Sequence, residues 1–341
     1  MTDQSSWITS RPEINTGDAA AALQRWWDLH GALEDLPSER DRNFVVRGEG
    51  GAPTHVFKIA NLAEDPAFLE CQHQAMRHLS GAGVPVQQVI PAVDGRKLVQ
   101  LGDHGAPWAR LLMWLPGRTL ASIVEPSPDL WPQLGATMGR SATALLTFDH
   151  PAAHRTFQWD VQRAGAVIAA GIPDVDDTAR HDLLDRVLYR LRLDLIPRLR
   201  SLRRSPIHND ANDHNVLVDV AGTRVLGLLD FGDMVHSITA QEAAVACAYA
   251  SFGRTEPMAV IGAVLTGFVA TCPLTTDELD AMPSLIMARV AMSVAISANQ
   301  ARLSPDPYLR ISEEPAWALL ERLDAESPSQ LRASVLGAVS L

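Results

Sequence analysis

The sequence predicts an α+β fold in two lobes: a small antiparallel-sheet N-lobe, then a mainly helical C-lobe that carries a β-hairpin. Three observations predict it. Short apolar stretches separated by turn residues fill the chain up to about residue 115. Helical periodicity dominates from residue 120 onward. That helical stretch is interrupted over 207–230 by apolar strands flanked by Asn and Asp. The 341 residues suffice for two lobes. The expected divisions are 1–17 as a flexible start, 18–115 as the N-lobe and 116–341 as the C-lobe.

The elements follow in order. Residues 18–29 read as a helix that Asp18 can cap. Residues 43–47 and 55–60 read as two strands around the turn Gly48-Glu49-Gly50-Gly51. A helix over 66–80 turns Phe68, Leu69, Ala75, Met76 and Leu79 to one face. Short strands follow near 84–86, 88–92 and 97–101, with Asp94-Gly95 as a turn, and a strongly apolar strand spans 108–115. Beyond it, 130–146 and 182–196 show helical periodicity, the second with Leu183, Leu184, Val187, Leu188 and Leu191 inward. Further helices are expected over 239–250, 258–270, 284–299 and 312–323, the last with Ser312 as a cap. Arg198, Arg200, Arg203 and Arg204 read as a solvated basic segment near a helix C-terminus.

Composition narrows the function classes. The net charge of −11 disfavours a nucleic-acid partner. Cys71, Cys247 and Cys272 have no paired spacing, which suits a reducing, cytoplasmic setting without a zinc framework. Residues 1–10 lack the apolar run of a secretory signal. The longest apolar run, 285–298, is broken by Arg289 and reads as a buried helix, not a membrane span. Only two lysines occur, Lys58 and Lys97, in a chain that otherwise uses arginine. A compact ammonium inside a strand therefore draws attention as a phosphate contact.

The chemistry is written in two motifs. His208-Asn209-Asp210 is followed by Asn215 at the start of an apolar strand, and Leu229-Asp230-Phe231-Gly232-Asp233 closes the next one. Transferred phosphates carry dense negative charge, which Mg²⁺ held by oxygen ligands neutralises. Protein kinases use this order of residues, so the fold expected is protein-kinase-like. Asp210 is then the candidate catalytic base, and Asn215 and Asp230 are the candidate metal ligands. Either motif alone would also fit a polar turn, because Asn and Asp favour turns for local reasons; both together do not. His208 reads as a brace for the loop.

In the N-lobe, Lys58 within Val56-Phe57-Lys58-Ile59 matches the kinase lysine that reaches the nucleotide phosphates, and Glu70 is expected to pair with it. There is no Gly-x-Gly-x-x-Gly loop. The segment from Ser38 to Asn43 is either a polar loop that covers the phosphates or a plain charged turn. Met113 to Leu115 would offer backbone groups to the nucleotide base, or would serve as ordinary core strand.

These residues resemble the aminoglycoside phosphotransferase and choline kinase superfamily. Ser38 to Phe44, Asn212-Asp213-His214-Asn215 and Asp230 to His236 are most similar to its hydroxylysine kinase branch. Pro307-Tyr308 and Ile311-Ser312-Glu313 to Leu320 are similar to bacterial members, some fused to class-III aminotransferases. The resemblance covers roughly residues 18–325. It implies transfer of the γ-phosphate of ATP or GTP, with Mg²⁺, to a hydroxyl of an amino-acid-like small molecule such as 5-hydroxylysine. It also implies a place near aminotransferase chemistry. Phosphorylation of an aminoglycoside or of a homoserine-type acceptor, or a non-catalytic nucleotide-binding module, would use the same fold. One departure stands out: the superfamily commonly has Gly after the motif His, where this chain has Asn209.

Overall fold

The computed structural model describes residues 11–38, 40–303 and 312–337. Residues 1–10 of the expected flexible start, Glu39 of the expected phosphate loop, and Pro307, Tyr308 and Ile311 of the C-terminal resemblance lie outside them. The chain divides into two compact units: residues up to Arg77 with Val86–Pro116, and His78–Pro85 with everything from Gly117 on.

The first unit is built on an antiparallel sheet ordered β1-β2-β3-β6-β4, with β5 also paired to β6. The strands are β1 (Ala32–Leu36), β2 (Arg42–Arg47), β3 (Pro53–Ile59), β4 (Val89–Ile90), β5 (Val99–Gln100) and β6 (Trp108–Met113). Side chains alternate between the sheet faces. Phe44, Val46, Phe57, Ile59 and Leu111 form a core with Ala19, Leu23 and Trp27 of helix α1 (Thr16–Trp27). Trp27 sets its ring edge-on to Phe57 and donates its indole N–H to Ile90 O. Helix α1 begins earlier than expected because Asn15, not Asp18, caps it: Asn15 Oδ1 accepts from Asp18 N–H. Helix α2 (Pro66–Gly81) buries the five apolar residues expected of it.

The second unit is mainly helical. Its principal helices are α3 (Leu130–Leu145), α4 (Ala164–Gly171), α5 (Thr178–Leu193), the single turn α6 (Leu195–Arg198), α7 (Gln241–Ser251), α8 (Pro257–Thr271), α9 (Thr276–Leu303), α10 (Glu313–Ala325) and α11 (Pro328–Gly337). Two small sheets sit among them. The short strand β7 (Arg118–Thr119) pairs with β9 (Val216–Val218), which pairs with β10 (Val225–Leu228). Strand β8 (Arg204–Ile207) pairs with β11 (Val235–Ile238).

Helix α9 is the main departure. Its expected start was Ser284, one residue after Pro283, which lacks a backbone donor. The helix instead runs through Pro283 from Thr276, and 94% of its most apolar 18-residue window is buried inside the fold. By length and composition it could cross a membrane. Ser312 makes no side-chain cap, although its carbonyl accepts Ala316 N–H.

Helices α3 and α8 touch backbone to backbone at glycines. A Cβ on Gly267 would stand 1.9 Å from Pro132 O, and one on Gly135 1.8 Å from Val264 O. Neither contact can relax by a side-chain turn. Gly267→Ala should therefore cost about 3 kcal/mol or more in chemical unfolding. Gly50→Ala, in an open hairpin turn with nothing within 4 Å, should stay within about 0.5 kcal/mol. Equal stability of the two variants would show that the helices do not approach this closely.

Candidate active site

The second unit assembles Asp210, Asn215 and Asp230. Strand β8 ends at Ile207 and β9 begins at Val216, so the motif residues occupy the loop between them. Asn215 Nδ2 donates to Asp210 Oδ2 at 2.6 Å and to Asp210 O at 3.1 Å. Asn212 Nδ2 donates to Asp210 Oδ1 at 2.9 Å. Leu229 N–H donates to Asn215 O at 2.8 Å, which sets Asp230 beside Asn215. Asp230 stands at φ +54, a left-handed conformation unusual for a non-glycine residue, and accepts Gly232 N–H.

Asn209 is also left-handed, at φ +67, and is fully buried. Each of its side-chain polar atoms is engaged. Its Oδ1 accepts from Gln241 Nε2 at 2.6 Å, and its Nδ2 donates to Asp233 O and Trp159 O. Its backbone N–H donates to Glu242 Oε2 at 2.9 Å. Asn is among the residues best suited to this region of backbone space, so the departure from Gly preserves the loop.

His208 braces the same loop. Its buried ring stacks edge-on to Phe231. Nδ1 accepts Asp210 N–H, so the ring proton lies on Nε2 and is donated to Leu229 O at 2.9 Å. Burial lowers the pKa of this imidazole and keeps it neutral.

Carboxylates and a cation crowd the Asp210 side chain. Burial, then the charges of Asp233 and Asp230, push its pKa up to about 8, while Arg289 and the Asn212 hydrogen bond oppose the rise. Arg289 Nη2, from α9, lies 3.7 Å from Asp210 Oδ1. The guanidinium sits over the Trp159 ring at 4.3 Å and the Tyr249 ring at 5.3 Å. Trp159 and Tyr249 are not read as site residues from sequence. Asp233 and Glu242 can be read there as partners for an ammonium, and Arg289 or Arg302 for a carboxylate, but ordinary structural or surface roles fit each as well, so none is assigned.

The candidate metal ligands fit Mg²⁺. Asn215 spends its Nδ2 on Asp210 and carries an amide oxygen, Oδ1, as a further donor atom, and Asp230 offers a carboxylate. Both are the hard oxygen donors that Mg²⁺ takes, and the ion commonly uses few protein ligands, completing its shell with phosphate and water. Among the described residues no group of three or more His, Cys, Asp or Glu forms a larger metal site.

In the first unit, Asn43, Lys58 and Arg110 lie in one cross-strand row, with Asn43 opposite Lys58 and Lys58 opposite Arg110. All three are buried. Asn43 Oδ1 has no hydrogen-bond partner. The expected ion pair of Lys58 with Glu70 is not formed. Glu70 lies on the half-exposed side of α2, accepts from Gln74 Nε2 at 3.3 Å and stands 3.6 Å from His73 Nδ1. His73 turns inward instead; burial, Arg110 and Lys97 together hold its pKa down near 3. Ser38 Oγ accepts Asp41 N–H, a turn contact. Met113 spends its N–H on Gln88 O, and Trp114 spends its own on Thr54 O. Of the segment expected to face a base, the Met113 and Trp114 N–H groups are thus spent within the protein, so the Met113 donor drops out of that role.

Residues 32–281 match the model of the phosphotransferase enzyme family (APH). The chain belongs to that family. It is a phosphotransferase, a kinase that uses a nucleotide donor and the alcohol group of a small molecule as acceptor. Among curated relatives, hydroxylysine kinase of Mus musculus is 27% identical, the match covering 93% of this chain and 91% of the relative. Hydroxylysine kinase of Xenopus laevis is 28% identical over 92% and 91%. A solved microcompartment-associated aminopropanol kinase shares the fold at a TM-score of 0.64 and 18% identity, covering 91% of this chain and 98% of that one. The protein-kinase-like two-lobed α+β fold expected from the motifs is therefore the fold of this chain.

Glu242 yields a pH-dependent prediction for this phosphotransferase. Burial raises its carboxyl pKa from 4.5 to about 7, against the opposing effects of the Asn209 and His208 backbone N–H groups and of Arg289. The folded state thus holds a proton that the unfolded chain has already released between those values. Stability from this group is present at low pH and is lost as pH rises through the window. Glu242→Gln stays neutral throughout, so its melting temperature relative to wild type should rise between pH 4.5 and 8. A pH-independent difference in thermal melts would contradict the raised value.

Proposed function

We propose that this phosphotransferase moves the γ-phosphate of ATP or GTP, with Mg²⁺, to the side-chain hydroxyl of an amino-acid acceptor, with 5-hydroxylysine the leading candidate. The observation that carries the mechanism is Asp210. It is largely buried, with both carboxylate oxygens held by Asn212 and Asn215, beside Asp230. The acceptor hydroxyl donates its proton to Asp210 as its oxygen forms the new bond to the γ-phosphorus. The bond from that phosphorus to the β–γ bridging oxygen breaks, and a nucleoside diphosphate leaves. Mg²⁺ held by Asn215 and Asp230 would neutralise charge on the phosphate oxygens. In the first unit the buried Lys58, with Asn43 opposite it, is suited to meet nucleotide phosphates.

The acceptor class is supported by the hydroxylysine kinases that match over more than nine-tenths of their length and of this chain's. A cytoplasmic setting and a link to aminotransferase-type reactions accompany this reading, since its acceptor is itself an amino acid.

Nucleoside-diphosphate release tests the reading, with ATP and GTP each crossed with 5-hydroxylysine, homoserine, ethanolamine and kanamycin. Turnover is expected with 5-hydroxylysine. Activity confined to kanamycin or homoserine would discard this acceptor and keep the mechanism. Asp210→Ala should lower kcat by roughly 10²–10⁴-fold with nucleotide affinity largely kept. Asp230→Ala should lose Mg²⁺-dependent nucleotide binding. Wild-type kcat in the Asp210 variant would remove that residue from the chemistry.

A further inference from the structure

We propose that Arg289 is the acceptor-reading residue of this site, receiving the carboxylate of an amino acid whose hydroxyl lies at Asp210. The proposal rests on the amino-acid kinase reading above and goes beyond it by naming the group that distinguishes the acceptor.

Arg289 is 2% exposed, yet its Nε and Nη1 have no hydrogen-bond partner. Nη2 reaches Tyr249 Oη at 3.3 Å, and its 3.7 Å approach to Asp210 is longer than a hydrogen bond. Other partly buried arginines of the same unit are well served. Arg203 makes two bonds to Glu278 and one to Pro273 O. Arg190 bonds Asp324 and Glu326 O. A buried guanidinium with unused donors is costly unless an anion completes it.

Two carboxylates of the protein lie nearby, and neither makes a hydrogen bond to the guanidinium. Glu242 Oε2 accepts Asn209 N–H, and Asp210 is held by Asn212 and Asn215. Trp159 and Tyr249 flank the guanidinium and fix its plane, which lowers the cost of ordering it on a ligand. Both residues are partly exposed rather than sealed in the core. The nearby acids Asp233 and Glu242 disfavour a bare anion, but a zwitterionic amino acid brings its own ammonium. Reach is also suitable. With a hydrogen bond of about 2.8 Å at each end, a hydroxyl on Asp210 and a carboxylate on Arg289 can stand up to roughly 9 Å apart. A linear amino acid with a side-chain hydroxyl spans that gap.

The test is calorimetric titration of the full chain with L-lysine and with cadaverine, which is lysine without its carboxylate. Wild type should bind lysine at least ~100-fold more tightly than cadaverine. Arg289→Gln should bring the two affinities close together. Arg289→Lys should keep part of the preference, since charge survives but the planar fork does not. Unchanged nucleotide affinity would show that the variants fold. No binding of lysine to wild type, equal binding of lysine and cadaverine, or an undiminished preference in Arg289→Gln would each overturn the proposal.

Turnover on 5-hydroxylysine and on 1-amino-2-propanol separates the two claims. Equal turnover on both supports the kinase and overturns the role of Arg289. Turnover on neither counts against the amino-acid kinase reading, while the lysine and cadaverine pair still decides the carboxylate site.

Discussion

The second unit depends on one backbone conformation, the left-handed turn at Asn209. A non-glycine residue there costs on the order of 1–2 kcal/mol, and the surrounding structure must hold it. Here it does so with hydrogen bonds from four directions: Glu242 to the backbone N–H, Gln241 to the amide oxygen, and the Asp233 and Trp159 carbonyls to the amide nitrogen. Glycine would adopt the same φ more easily but could make none of the side-chain contacts. The turn aims Asp210 while His208, one residue earlier, anchors the loop to Leu229 ahead of Asp230. The same amide fastens Trp159, whose ring covers Arg289. The candidate base, the candidate metal ligand and the proposed acceptor wall therefore share a common support.

Gln241 extends that support. Its Oε1 accepts Val161 N–H and Ser237 Oγ–H, and its Nε2 bonds Trp159 O as well as Asn209. A buried polar network of this kind stiffens its members when nearly every atom is served. Glu242 Oε1 and two nitrogens of Arg289 are the unserved atoms in this neighbourhood, and they lie where a zwitterion would be met. The first unit answers a different need. Its row of Asn43, Lys58 and Arg110 sets two cations on one sheet face, the arrangement the proposed contact with nucleotide phosphates calls for.

Legibility in the sequence followed sequence distance. Asp210, Asn215 and Asp230 fall within 21 positions on one loop and hairpin, so local spacing alone brings them together. The sheet and the apolar face of α2 were legible through simple periodicity. Strand β1 was not, because Ala32-Leu33-Glu34-Asp35-Leu36 is an exposed edge strand that shows no buried alternation. Helix α9 extends back through Pro283 to Thr276, beyond its expected start, because burial of the surrounding helix outweighs one missing donor. The Lys58–Glu70 pair was inferred by counting along the chain; the rotation of α2 turns His73 inward and leaves Glu70 to Gln74. The wall of Trp159, Glu242, Tyr249 and Arg289 draws on three segments spread over 130 positions. No local pattern encodes such a meeting; tertiary packing creates it.

The measurement that tests this account most directly is kcat for Asn209→Gly beside Asn209→Ala, each with its melting temperature. Gly retains the left-handed turn and loses the side-chain bonds; Ala loses both. Turnover should fall in Gly and fall much further in Ala, with Asp210 misplaced. Wild-type turnover in Asn209→Ala would show that the loop does not rely on this turn and would contradict the account.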